Sequence, residues 1–409
     1  MKKTIVSMVA APLIMGLGVS VASATEDGLN ILSDVELKGE IRPRYENADV
    51  VDNGVDAGSA LTARTTLSLT AKLFEVEGLS STIGIQTVNN FGYADYAPAS
   101  TDYDVIADPQ QAMLSEATID YKAGNTALHA GRSHINLDNQ RFIGTVGWRQ
   151  SERSYDTLYV ANSDVENLDL LAAYVYGCAG VGSTTTTDTA SALLHAKYKL
   201  MDAVTLTGYG YLLASKSDTY GVALTGNIDA GAKLNYRLEY AMQADPSLEY
   251  EEANVKADAN YINADLGANI SGILLGINYE ALSGTNGTDG KTAFATPLGT
   301  NHKFNGWADQ FLKTPSGGLQ DANVRIGYKA KGFGKLLGVY HMFTSAEDMG
   351  TTTGVGTDLG SEFDAVYVNS IPGVTGLKGL FKAAFYQKGD IINYQNDVTK
   401  FWAQLDYKF

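Results

Sequence analysis

The stretch Val35-Glu-Leu-Lys-Gly-Glu-Ile-Arg-Pro-Arg-Tyr-Glu46 splits into two faces with a period of two. Val35, Leu37, Gly39, Ile41, Pro43 and Tyr45 fall on one side; Glu36, Lys38, Glu40, Arg42, Arg44 and Glu46 fall on the other. Side chains alternate across an extended strand, so this segment predicts a strand with one apolar face and one charged face. Pro43 has no amide hydrogen to give and predicts a bulge or a strand end. The same alternation recurs over Leu61–Leu73, where Leu67, Leu69, Ala71 and Leu73 oppose Arg64, Thr66, Ser68, Thr70 and Lys72. At the end of the chain Phe401, Ala403, Leu405, Tyr407 and Phe409 oppose Lys400, Gln404, Asp406 and Lys408, with Trp402 a lone aromatic on the polar side.

Eighteen such segments can be marked between residues 35 and 409, with sixteen as the alternative count. Tight links (74–78, 123–124, 201–202, 268–270, 331–333) alternate with long ones (90–111, 134–154, 178–190, 243–256, 283–320, 344–361); only 215–218 is short on the long side. A soluble sandwich has no reason to sort its loops by end, whereas an outer-membrane barrel has short periplasmic turns and long extracellular loops. The fold class expected is therefore all-β: a transmembrane antiparallel barrel whose apolar face meets lipid and whose charged face lines a wet interior. Tyr45, Tyr121, Tyr176, Tyr198, Tyr240, Tyr328, Tyr340 and Tyr407 fall near strand ends, where interfacial girdles belong.

The first residues support export. Lys2 and Lys3, an apolar run from Ile5 to about Val19 and the small residues Ala22-Ser23-Ala24 form a cleavable signal pattern. Residues 1–24 are read as signal peptide and 25–409 as the barrel domain. The 409-residue chain holds 43 glycines, 8 prolines and 24 tyrosines, and its mean hydropathy of −0.11 leaves no room for a bundle of membrane helices. The formal charge of −16 becomes −18 once Lys2 and Lys3 leave, which argues against nucleic acid as a partner. The single Cys178 allows no internal disulfide.

Two internal segments carry a family resemblance. His129-Ala-Gly-Arg-Ser-His134, continuing through Gly147-Trp-Arg-Gln150, and His302-Lys-Phe-Asn-Gly-Trp307, continuing to Asp321, resemble the signature regions of Gram-negative alginate-export porins. The ending Gln404-Leu-Asp-Tyr-Lys-Phe409 resembles the signal recognised by the outer-membrane barrel assembly machinery, with Phe409 as its terminal residue. The resemblance implies an 18-stranded monomeric barrel with an arginine-lined pore for an acidic polysaccharide, set among outer-membrane lipid and lipopolysaccharide.

Of nine arginines, seven lie within 42–153. Alternation places Arg42, Arg44 and Arg64 on the interior face with Lys38 and Lys72; Arg132 closes a strand, and Arg141, Arg149 and Arg153 sit in the third long loop. Guanidinium pairs bidentately with carboxylate, and rings of it in a pore select anions. These nine cations are the expected anion-binding, pore-lining set. The competing reading is a scaffold network with Glu36, Glu40, Asp138, Glu152 and Asp156. Thirteen of the net negative charges fall in 90–111, 244–258 and 345–364, expected as external loops; those loops either stay solvated by their charge or bind divalent cations. Loop 283–320, with Gly284, Gly287, Gly290, Gly317 and Gly318, is expected to cover the mouth. Within it Phe304, Trp307 and Phe311 at i, i+3, i+7 predict a short helix over 302–313 anchoring a lid.

The five histidines show no metal spacing and no nucleophile elbow, so no enzyme, metal or cofactor is expected. The function expected is a monomeric outer-membrane porin for passive passage of small hydrophilic, preferably anionic, solutes such as acidic saccharides. A general diffusion porin, trimeric in one form, and a barrel-anchored adhesin or receptor are the alternatives.

Overall fold

A computed structural model describes residues 31–250, 255–285, 291–394 and 396–409. The expected signal peptide, Glu251, Glu252, Gly287 and Gly290 lie outside the described residues. Eighteen antiparallel strands form one sheet closed on itself. They are β1 (Leu32–Val50), β2 (Gly58–Leu73), β3 (Leu79–Asn89), β4 (Gln111–Ala123), β5 (Thr126–Ser133) and β6 (Ser154–Asn162). Next come β7 (Leu168–Ala179), β8 (Thr186–Met201), β9 (Val204–Leu213), β10 (Ser217–Asp229), β11 (Lys233–Ala244) and β12 (Ala259–Ile270). The circuit ends with β13 (Ile273–Ser283), β14 (Gly318–Ala330), β15 (Gly334–Thr351), β16 (Gly354–Ser370), β17 (Leu377–Gln387) and β18 (Val398–Lys408).

Closure comes from β1 against β18, with Ile41 opposite Tyr407 and Arg44 opposite Gln404. The amides of Gly39 and Phe409 each donate to the other's carbonyl, at 2.9 and 3.0 Å. Because every strand has two neighbours, no edge is left to pair with another chain. Pro43 neither ends β1 nor bulges it, since the β18 register is the same on both sides of it; the irregularity in β1 lies at Ser33–Glu36 instead.

The sorting of turns holds at one end throughout. At the other end the link between β9 and β10 is short, as expected, and there is one correction: residues 344–361 are no loop, since β15 and β16 run on as a hairpin to Thr351 and Gly354. Within this extension the acidic residues part company. Glu347 and Asp348 are exposed, but Glu362 and Asp364 face inward and are buried. Asp104 and Asp108 of the 90–110 connection are buried too, so part of the acidity assigned to external loops lies inside.

The outward faces carry apolar side chains open to their surroundings, among them Ile277 (57% exposed), Ile326 (66%) and Phe381 (64%). A band of this kind around a whole molecule marks contact with an apolar medium. Tyr45, Tyr121, Tyr176, Tyr198, Tyr240, Tyr328 and Tyr340 also point outward.

The interior is not a wet tube along its whole length. Two long loops, 134–153 and 291–317, fold into it. Their Ile135, Phe142, Ile143, Phe294 and Phe311 pack on wall residues Leu193, Tyr211, Tyr261, Phe343, Tyr386 and Trp402 as a dry core inside the barrel. Trp402 breaks the polar pattern of β18 for this reason: it meets the Trp148 ring edge-on at 5.7 Å.

Candidate functional site

The wall strands β1 and β2 hold the first infolded loop by its backbone. Arg42 donates to the carbonyls of Gly147 (2.9 Å) and Arg149 (2.7 Å) and to Gln150 Oε1 (3.0 Å). Arg44 donates to the Trp148 carbonyl and to Gln404 Oε1, its guanidinium 4.2 Å from the Trp148 ring centre. Arg64 spans Glu40 at 2.6 Å and Glu152. Three consecutive carbonyls of a tight loop have no strand partner, and a guanidinium fork supplies several donors at once without losing its charge. Alternation put these arginines inside correctly; their donors go to the loop and to the wall residues Glu40 and Gln404, and all three are buried.

Arg141 and Arg149 join the first loop to the second. Arg141 forks onto Glu280 of β13 at 2.8 and 3.3 Å and reaches Asn301 and Asn305. Arg149 bonds Glu46 at 3.0 Å and Asp309 at 2.8 Å, with Asp108 3.7 Å away. Burial alone would lower the Arg149 pKa, but Glu46, Asp108 and Asp309 together push it above its ordinary value. Asp309 also meets Lys400 (3.2 Å) and His302 Nδ1 (2.5 Å). Against its burial, His302, Lys400 and Arg149 hold its carboxyl well below the usual carboxylate range. Lys382 of β17 donates to His302 Nε2 at 2.6 Å, which requires a neutral imidazole that donates from Nδ1. Burial, with Lys382 and Arg149 adding to it, lowers the His302 pKa to about 3. The ring stacks on Trp148 at 4.9 Å and 6°.

The expected helix over 302–313 does not form. Only Asn301–Lys303 makes a helical turn, and Asn305, Gly306 and Asp309 adopt positive φ values of 53°, 85° and 65°. Helical hydrogen bonding is displaced by the wall: the Trp307 amide donates to Asp364 (3.2 Å) and the Ala308 amide to Glu362 (2.7 Å). Phe304, Trp307 and Phe311 accordingly share no face. Phe304 lies 4.9 Å from the Arg141 guanidinium, the Trp307 ring 4.0 Å from Lys382 Nζ, and Phe311 is buried against Phe343 and Tyr394.

The other expected cations are placed as follows. Arg132 is a correction: it shares the outward parity of exposed Leu128 and is paired, two bonds of 2.7 Å, with Asp156 of β6. It does not face the pore. Arg153 ties the loops together through the carbonyls of Gly144 (3.0 Å) and Pro297 (3.1 Å). Lys38 and Lys72 are exposed on the inward side near the short-turn end, paired with Glu36 (3.1 Å) and Asp34 (2.5 Å).

Open space remains beside the plug. A cavity of about 340 Å³ lies between the second loop and the wall formed by β11 to β15. Its lining includes Arg237, Arg325 and Lys303, none of them in the expected set. Arg325 is followed on the same face of β14 by Lys329, which sits directly opposite Lys335 of β15. Arg237 and Arg325 are the two arginines outside 42–153; alternation along β11 and β14 would have placed both inside had those strands been read like the first. At the long-loop end a second cavity of about 450 Å³ is lined by Arg153 and Lys216.

Solved structures of the same shape exist. Pseudomonas aeruginosa OpdK with vanillate matches at a TM-score of 0.72 and 13% identity, over 93% of this chain and 99% of that one. Acinetobacter baumannii OccAB4 matches at 0.72 and 14%, over 93% and 100%, and Pseudomonas aeruginosa OccK9 (OpdG) at 0.73 and 15%, over 92% and 98%. The chain shares their fold. No protein-family model and no curated protein matches the sequence, so the alginate-export family suggested by two motifs is not shown. Those motifs coincide with much of the two infolded loops.

Proposed function

We propose that this protein is an outer-membrane channel for passive uptake of small hydrophilic solutes, with a preference for anions. The reading rests on a closed barrel with an apolar outside and a lumen narrowed by two braced loops, beside which a row of cations runs. Arg153 and Lys216 stand at the long-loop end, Lys303 and Arg237 at the plug, and Arg325, Lys329 and Lys335 toward the other mouth. The single observation carrying the anion preference is the juxtaposition of Lys329 and Lys335 on one inward face with no acidic residue between them in the β14–β15 register. Fixed like charges along a narrow passage select the opposite ion. A plug packed this tightly suits single small solutes better than a polysaccharide strand. OpdK, of the same fold, was solved with vanillate, itself a small organic anion.

Reversal potential in a planar bilayer under a potassium chloride gradient tests this. The native channel is expected to favour chloride, and Lys329→Glu with Lys335→Glu is expected to shift the potential toward cation preference. A barrel that inserts yet passes no current defeats the reading.

A further inference from the structure

The cavity between the second infolded loop and β11–β15 has charged residues, but most of their bonding capacity is already used. Arg237 forks onto Glu239 at 2.8 and 2.7 Å. Arg325 pairs with Asp265 at 2.6 Å. Asp321 takes His341, and Glu280 takes Arg141 and Tyr261. Two amides keep unused bonding capacity. Asn263, 7% exposed, makes no side-chain hydrogen bond with the described residues. Asn323, 8% exposed, lines the same cavity; its Nδ2 donates to Asn278 (3.3 Å) and Asp321 (3.4 Å), but its Oδ1 is buried without a partner among the described residues. A buried amide left unmet costs free energy, and a ligand that meets it recovers that cost. The loop side of the cavity adds the rings of Phe304 and Trp307.

Unmet amide atoms opposite aromatic surface match one ligand chemistry. The free Oδ1 of Asn323 needs a donor, which a hydroxyl supplies and a carboxylate, which only accepts, does not. The C–H face of a saturated ring lies against an aromatic side chain. About 340 Å³ is at the small end of ligand pockets, room for one ring and not for a chain. We propose that this cavity is a subsite for a single polyhydroxylated ring of monosaccharide size, read through its hydroxyls by Asn263 and Asn323 and held against Phe304 and Trp307. The subsite rests on the channel reading, because a solute reaches it only along the lumen. It adds a selection by hydroxyls to the selection by charge.

The test uses D-glucose, which carries no charge, with the full-length barrel. Two measurements separate the subsite from the channel. In detergent, glucose is expected to change tryptophan fluorescence saturably, and Trp307→Phe is expected to remove that signal while Trp148 and Trp402 remain. In bilayers, glucose is expected to reduce the open-channel current with the same midpoint. Asn263→Leu, which removes no side-chain hydrogen bond among the described residues, should raise both midpoints at least tenfold and leave the chloride reversal potential unchanged. If Asn263→Leu does not assemble, Asn263→Ala replaces it. A current that falls only in proportion to solution viscosity, or an Asn263 variant with the native midpoint, overturns the subsite. Saturable fluorescence from a barrel without conductance would uphold the subsite and overturn the channel.

Discussion

Arg149 shows how one residue type can be read rightly and its purpose wrongly. A guanidinium in a barrel loop suggests a pore charge, but this one meets three carboxylates and is 6% exposed. Removing one member of a buried ionic group leaves the others uncompensated, so Arg149→Ala is expected to cost about 3–5 kcal/mol. The measurement is urea unfolding in lipid vesicles, and the loss should come with undocked loops rather than with altered ion preference. His302 supplies the pH dependence. Its folded pKa of about 3 lies below the ordinary 6.5, so the unfolded or undocked state binds the proton more readily. Docking is therefore fully supported above pH 6.5 and weakens by about 1.4 kcal/mol per unit as pH falls toward 3. Asp309, held below its ordinary value, acts in the same direction at the acid end of that window. Near-UV circular dichroism should lose the stacked Trp148 signal between pH 6.5 and 4 while strand content persists. His302→Gln, which can keep both hydrogen bonds and does not titrate, should flatten the curve.

At the scale of elements, strands were legible and loops were not, for a physical reason. A strand's fate is written in its own period: the charged side of Val35–Glu46 faces inward, and so do Arg64 and Lys72 of β2. A loop's fate depends on partners far away in the chain, from 54 to 164 residues here. The i, i+3, i+7 pattern of Phe304, Trp307 and Phe311 is a fair helical signal, but the amides that would make the helix go to Asp364 and Glu362. Arg132 was misplaced because its strand is short and ends in a polar run that hides the parity; exposed Leu128, four residues before it, held the needed signal. The second loop packs inside the barrel, braced by Phe294 in the interior core and by the Leu298 carbonyl accepting the Gly144 amide at 2.9 Å. Deleting 285–300 removes both braces. Single-channel conductance is expected to rise, and an unchanged value would show that this loop does not limit the current.

For the whole molecule the question is which solvent each face meets. An inside-out protein has its dry core within the barrel and its apolar residues around it. In water that arrangement would leave a belt of exposed Ile, Leu, Val and Phe with no counterpart. One substitution distinguishes the two solvents. Ile277 is 57% exposed, lies in the middle of β13 opposite Val324 of β14, and touches neither infolded loop in any hydrogen bond. In a water-facing position Ile277→Arg would be close to neutral, since surface changes away from special features stay within about 0.5 kcal/mol. Facing hydrocarbon near the midplane, the same change costs about 2–4 kcal/mol. Folding free energies measured in lipid vesicles should show the larger loss, and Lys329→Arg on the opposite side of the same wall should show almost none. Equal effects at the two positions would mean that both faces are wet, and the separation of charge from hydrocarbon on which the proposed channel depends would be gone.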